Sequence, residues 1–376
     1  MDFSFTEEQT LLRNSVQKFI QGSYDFDTRR KVSKSDSGWR KEVYGQIAEM
    51  GLLGVAVPED FGGLGGSAVD NMIIAEEFGR GLVIEPWLNN AVIASGFLTA
   101  AGSKAQKEEL LPAIAAGETI FAFAYAEPQG RYNLADLTTT AKKAGDGYTL
   151  NGHKAVVLGA PFADKLIVTA RTSGGQRDAD GVTVFIVDKS AKGVSTRDYP
   201  TVDGNRASEV MLENVSVGAD AVIGEVGGGL KTVELVTDQA IAALAAESTG
   251  AMKVLNDTTI EYAKTRKQFG TPIGKFQVLQ HRMVDMFMNY EQSVSIAYMV
   301  TLKLDEAEAE RKKAASAAKV QIGKASRFIG QSAVQIHGGM GMTDELNVGH
   351  YFKRLTMIDT LFGNVDHHLK RYASLG

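Results

Sequence analysis

The spacing of the apolar residues changes twice along this chain, and that double change constrains the fold more than any other feature. Up to about residue 120 apolar residues recur every three or four positions. In "FTEEQTLLRNSVQKFI", Thr6 is placed to cap a helix whose first turn carries Glu7 and Glu8. Leu11, Leu12, Val16, Phe19 and Ile20 then fall on one face. "WRKEVYGQIAEMGLLG" repeats the pattern and stops at glycine. "VPEDFGGLGG" reads as a loop, and "SAVDNMIIAEEFGR" and "QKEELLPAIAAGE" as further helices. Near Phe121 the character changes. "FAFAYAEP", "GYTLNGHKAVVLGA", "KLIVTART", "GVTVFIVDK" and "SEVMLENVSV" are short, rich in β-branched or aromatic residues, and bounded by Gly, Asp and Asn. They read as strands of an antiparallel domain.

Beyond "GEVGGG" (Gly224–Gly229) the helical spacing returns. It predicts long helices over roughly Leu230–Lys264, Gly274–Glu306 and Glu308–His337, then a last helix near Asn347–Leu361 and a tail. Helical, β, helical is the order of an α+β protein that ends in a helical bundle, with divisions at 1–120, 121–228 and 229–376.

The 376 residues, 44% hydrophobic and 23% charged, are ordinary for a globular chain. A net charge of −5 gives no pull toward nucleic acid or an anionic membrane. With no cysteine, disulfides and thiolate chemistry are excluded. "MDFSFTEEQTLLRN" has early acids and no long apolar core, so no secretory signal is expected. No uncharged apolar run reaches the roughly 18 residues that would span a bilayer. A cytoplasmic enzyme or enzyme subunit, with no metal, nucleic acid or membrane span, is the expectation.

"QIHGGMG" (Gln335–Gly341) alone reads equally as a helix stop or as a glycine pair that lets a backbone approach a phosphate. It stands in company. "MDFSFTEEQTLLR", "MGLLGVAVPEDFGGLGGS", "YAEP", "YTLNGHKAVV", "ENVSV…VIGEVGGGL", "RKQFGTPIGKFQVLQHRMVDM" and "QIHGGMGMTDE" occur in one order. In that order they resemble the acyl-CoA dehydrogenase family over essentially the whole chain. The resemblance implies an N-terminal α-helical domain, a middle antiparallel β domain and a C-terminal four-helix bundle. It implies FAD as cofactor, an acyl-CoA thioester as substrate, and electron-transfer flavoprotein or a similar electron acceptor.

Such chemistry needs a carboxylate to take the α proton, a hydride acceptor, and donors on the thioester oxygen. The family takes its base from a Glu in a Y-E-G-T motif or from a Glu early in the first C-terminal helix. The matching positions here are Gly363, between Phe362 and Asn364, and Ala240, so neither is an acid. Glu247 lies seven residues past Ala240, about 10 Å along a helix, and cannot reach back; a structural carboxylate or a subunit contact is expected. Asp238 lies on the opposite face, and Asp366 would need the tail rearranged.

The flavin side of the β domain departs from the family as well. Ala126 replaces the Thr or Ser before "EP", Arg131–Asn133 replace Gly-Ser-Asp, and Val156, Val157 and Leu158 replace Trp-Ile-Thr. What the family lends across a dimer interface is intact. Arg266 would meet the flavin pyrophosphate of a neighbouring subunit, with Gln268 and Phe269 along it. Gln335 and the backbone at Gly338 and Gly339 would approach the adenosine-diphosphate portion, with Gln277 and Gln280 as further polar contacts. The chain thus resembles the small, non-catalytic subunit of heteromeric acyl-CoA dehydrogenases, such as the pimeloyl-CoA dehydrogenase small-subunit type. Related two-chain heterotetramers act on steroid side chains, bulky thioesters or dicarboxylyl-CoA, with a related large subunit supplying the base. A homotetrameric enzyme with a relocated base and a non-redox, CoA-ester-binding scaffold are the alternatives.

Overall fold

A computed structural model describes residues 4–376; Met1–Phe3 of the N-terminal motif lie outside the described residues. The chain divides into two compact units. One comprises Val32–Ser67 and Ile84–Ala240. The other comprises Met1–Lys31, Ala68–Val83 and Ile241–Gly376.

In the first unit, α3 (Lys41–Glu49) ends where Gly51 turns left-handed at φ 74°. A π-helical stretch, Leu88–Ala94, runs into α5 (Ser95–Ala101), and α6 (Lys104–Ala115) follows with a Ser103 capping box. Eight strands form the sheet: β1 (Phe121–Ala124), β2 (Thr140–Ala144), β3 (Gly147–Leu158), β4 (Lys165–Arg171), β5 (Val182–Asp188), β6 (Val194–Pro200), β7 (Arg206–Val217) and β8 (Val222–Ile223). Their order is β6-β7-β3-β2-β4-β5-β8, with β1 beside β4. Most pairs are antiparallel as expected, but β1 runs parallel to β4, and β2 touches β4 in parallel at one register position. The sheet core is Leu150, Leu166, Val168, Phe185, Val210 and Val215, all inaccessible to solvent.

Under this sheet Lys154 and Glu127, both side chains 0% exposed, pair at 2.7 Å. Glu127 also accepts from Thr138 N (2.7 Å), Thr138 Oγ (2.6 Å) and Thr139 N (3.1 Å). A buried ion pair survives only when its remaining lone pairs are occupied in this way. Burial alone would raise the Glu127 carboxyl, but Lys154 and these donors outweigh it and bring it down to about 2. This pair ties the segment after β1 to the middle of β3.

In the second unit, α1 (Glu7–Ser23) begins as expected at Thr6, which forms a capping box with Gln9. It meets α4 (Ala68–Gly81) through Arg13–Glu76 at 2.6 Å and Gln17–Glu77 at 3.0 Å. Helix α7 (Leu230–Thr265) crosses α4 closely: a Cβ at Gly79 would lie 1.9 Å from Glu247 O, and one at Gly250 1.9 Å from Glu76 O. Only glycine permits that approach. Then come α8 (Gln277–Leu302), α9 (Glu308–His337) and α10 (Asn347–Thr360). The expected tail is instead α11 (Val365–Ser374), capped by the Asn364 side chain on His367 N at 3.0 Å. Helix α8 starts at Gln277 rather than Gly274, because Ile273–Lys275 form one 3-10 turn first. Helix α2 (Phe26–Ser33) bridges the sequence between the two units. Among the described residues no helix is long and apolar enough to cross a membrane, and no cluster of metal-ligating side chains occurs.

Candidate cofactor site

Helix α7 ends one residue before Arg266, whose backbone N–H still reaches Tyr262 O at 2.8 Å. The chain then turns through a two-stranded hairpin, β9 (Lys267–Gln268) and β10 (Thr271–Pro272). Its two central residues, Phe269 and Gly270, have φ of 55° and 79°. That is the type I′ geometry that a tight hairpin prefers, and its first position normally goes to Asn, Asp or Gly. Phenylalanine there costs backbone strain of about 1–2 kcal/mol, and its ring is 93% exposed. Strained backbone of this kind is concentrated at functional sites.

The hairpin forms one wall of a groove of about 600 Å³. Arg266, Gln268 and Phe269 line it together with Tyr262, Phe276, His337, Gly338, Gly339 and Met340. The Arg266 side chain is exposed and makes no hydrogen bond or ion pair among the described residues. Opposite, α9 ends at His337. Gly338 then takes φ 60° and ψ −139°, a combination open essentially to glycine alone. A Cβ at Gly338 or Gly339 would meet nothing within 4 Å, so the turn lies open to whatever fills the groove.

The groove floor is a stacked pair, the Tyr262 and His337 rings, 4.3 Å apart and inclined at 30°. His337 Nδ1 lies 2.8 Å from Ala333 O. A carbonyl can only accept, so Nδ1 carries the proton. Burial pushes the ring below its ordinary pKa, and Nε2 is left as a buried acceptor without a partner among the described residues. A guanidinium and a buried acceptor both unpaired among the described residues, an open glycine turn and stacked aromatics suit the phosphate-and-base end of a dinucleotide.

Tyr262 and His337 were not among the expected contacts. The signal for Tyr262 was available, since it precedes Arg266 by four residues and so shares its helical face. Two of the expected contacts lie outside the lining. Gln277 is exposed at the start of α8. Gln335 is exposed on the last turn of α9 and accepts the Gly338 N–H through its backbone oxygen. Gln280 donates to Gly274 O at 2.9 Å and stabilises the turn before α8.

The flavin-side positions of the β domain keep their frame without their polar groups. Ala126 O accepts from Ala155 N at 2.8 Å, beside the Glu127–Lys154 pair. Val156 sits at φ 51° in a β-bulge of β3 and is 48% exposed. A β-branched residue at positive φ is a strained outlier. Neither it, Ala126, Val157 nor Leu158 has a side chain that can donate a hydrogen bond, so this face does not fit the polar edge of a flavin. Arg131 turns at φ 48°.

The positions matched to the family's base are equally bare. Ala240 is fully buried in α7, and Gly363 has φ 116°. Glu247 is held by Arg354 in a two-pronged ion pair at 2.6 and 2.8 Å. Asp238 is buried, and Asp366 lies exposed in the first turn of α11.

Models of the acyl-CoA dehydrogenase N-terminal, middle and C-terminal domains match residues 6–118, 122–215 and 227–374 in turn. The chain belongs to the acyl-CoA dehydrogenase family. A 3-(aryl)acrylate reductase of Clostridium sporogenes is 31% identical over 360 residues, 94% of each chain. A solved structure described as the Tcur3481-Tcur3483 steroid ACAD is 28% identical with a TM-score of 0.89, covering 98% of this chain and 97% of that one. The FAD complex of PigA is 26% identical with a TM-score of 0.92, covering 100% and 98%. Membership makes this an oxidoreductase of FAD-dependent dehydrogenation, with FAD as its cofactor.

Proposed function

We propose that this chain is the non-catalytic subunit of a heteromeric acyl-CoA dehydrogenase, of the pimeloyl-CoA dehydrogenase small-subunit type. In this reading it lends half of a FAD site to a related large subunit. The observation that carries it is the arm Arg266–Phe269, strained and exposed, with a guanidinium that has no partner among the described residues. A chain with no acid at Ala240 or Gly363 has no use for that arm in chemistry of its own.

FAD, when bound, supplies the hydride acceptor for dehydrogenation of an acyl-CoA thioester. The roles of this chain's residues are binding and orientation. Arg266 offers charge-assisted donors to a diphosphate, and Gln268 and Phe269 extend along it. Gly338 and Gly339 admit close backbone approach, Gln335 precedes that turn on the last turn of α9, and Gln277, exposed at the start of α8, is proposed as a further contact. Removing the α proton falls to the partner. The two-part name of the steroid enzyme Tcur3481-Tcur3483 supports an assembly of unlike chains. It also favours a bulky thioester, in steroid side-chain or fatty acid degradation. We propose a cytoplasmic heterotetramer that passes its electrons to electron-transfer flavoprotein or a similar acceptor. The domain limits proposed are 1–120, 121–228 and 229–376, supported by the three matched segments.

The test is expression of the chain alone and together with a related acyl-CoA dehydrogenase encoded beside it, followed by FAD per chain and acyl-CoA turnover. The expected result is low flavin and no turnover alone, with both restored in the complex. Full flavin and turnover from the lone chain would overturn the reading in favour of a homotetrameric enzyme.

A further inference from the structure

The loop Leu361–Asn364 joins α10 to α11, and buried polar groups fix it from both ends. Lys319 of α9 is 2% exposed and donates Nζ to Ile358 O and Asp359 O, at 2.5 and 3.1 Å. It thereby serves the last turn of α10, whose final carbonyls have no helical partner. His368 is 1% exposed and donates Nε2–H to Phe362 O at 3.0 Å. Its Nδ1 lies 3.4 Å from Ser316 Oγ, which Arg371 also reaches at 3.4 Å. Between these anchors Phe362 and Gly363 are driven to φ of 55° and 116°. A Cβ on Gly363 would lie 2.6 Å from His367 Cδ2 and 2.6 Å from His368 Nε2.

We propose that Lys319 and His368 are positioning residues that lock this loop in a conformation only glycine can fill, closing position 363 to every side chain, a carboxylate included. Two obstacles act together there. The backbone is in a region where any Cβ is strained, and the two imidazole rings occupy the space the Cβ needs. His368 cannot swing aside cheaply, because it would abandon the Phe362 carbonyl in a buried setting. The loss of a base at this position is therefore built into the surrounding fold, and Gly363→Glu alone does not install one. The significance of position 363 rests on the proposed function; the lock itself does not.

The experiment is a double-mutant cycle on the full chain, read as thermal midpoint and amide exchange. Gly363→Ala should lower the midpoint by several degrees, and by more than Gly145→Ala. Gly145 also has positive φ, at 58°, but nothing lies within 4 Å of the Cβ it would gain. In a Lys319→Met background the Gly363→Ala penalty should shrink, and exchange at Leu361, whose N–H bonds Met357 O at 3.1 Å, should quicken about tenfold. His368→Gln, which keeps an N–H donor, should preserve slow exchange where His368→Ala does not. A Gly363→Ala penalty no larger than that of Gly145→Ala, or one unchanged by Lys319→Met, would overturn the lock. If Lys319→Met does not fold, the comparison of the two glycine variants decides alone. Turnover by the unaltered lone chain would sink the proposed function without touching this result.

Discussion

Arg266→Ala separates the proposed cofactor-binding role of the arm from the stability of the chain that carries it. The side chain is exposed and unpaired among the described residues, and the hydrogen bonds at residue 266 to Tyr262 O and from Ile273 N are made by the backbone. Truncation therefore leaves the hairpin intact, and the melting midpoint of the lone chain should not move. On the proposed function, the same change in the complex removes a charge-assisted contact to a diphosphate. Hydrogen bonds to charged groups contribute about 1.5–3 kcal/mol, so FAD should bind about 10- to 150-fold more weakly. Arg266→Lys keeps the charge but loses the two-pronged geometry and should fall between the two. The assay is titration of the stripped complex with FAD, followed by calorimetry and by flavin absorbance per complex after gel filtration. An Arg266→Ala complex that holds FAD as tightly as the unaltered one would refute the assignment of this groove to the cofactor.

Other outcomes follow from features away from the groove. Lys154→Met leaves the Glu127 carboxylate buried without its cation and should destabilise the β domain by about 3–5 kcal/mol, measured by urea unfolding. Because the Glu127 carboxyl is lowered from 4.5 to about 2 in the fold, its contribution is complete above about pH 4.5 and lost as the pH falls toward 2. Circular dichroism over that range should show the loss. Gly79→Ala places a Cβ 1.9 Å from Glu247 O and should force α4 and α7 apart, lowering the thermal midpoint by more than any exposed glycine-to-alanine change. Val156→Gly should stabilise by up to about 1 kcal/mol, because relief of strain at φ 51° outweighs the added chain entropy. A loss of stability in that variant would show that the bulge is not strained.

The helical, β, helical order was legible because long amphipathic stripes and short β-branched runs repeat their signals many times over. Where the signal was short or polar it was lost. Strand β2 reads TAKKA with three exposed residues, and edge strand β6 reads VSTRDYP, so neither shows an apolar alternation. Helix α11 reads VDHHLKRYAS, whose polar face hid a short amphipathic helix. The parallel pairing of β1 with β4 joins residues more than forty positions apart and has no local mark. At the site, motif spacing brought Arg266, Gln268, Phe269, Gly338 and Gly339 to one groove. It could not show that Glu247 is held by Arg354, 107 residues away, although helix rise alone had put Glu247 out of reach of Ala240's place. Nor could it show the orphaned acceptor of His337, which depends on which carbonyl its other nitrogen meets.

The Phe269 hairpin has a consequence for how the protein is made. An aromatic ring 93% exposed on a strained turn leaves apolar surface in water. On the proposed function, each chain carries this tip uncovered until the partner subunit lies against it. Synthesis in excess of whatever covers the tip would leave orphans open to self-association and to proteolytic clearance. On the proposed function, the hairpin would couple the dosage of this chain to that of its partner subunit, and would favour their production side by side and in equal number.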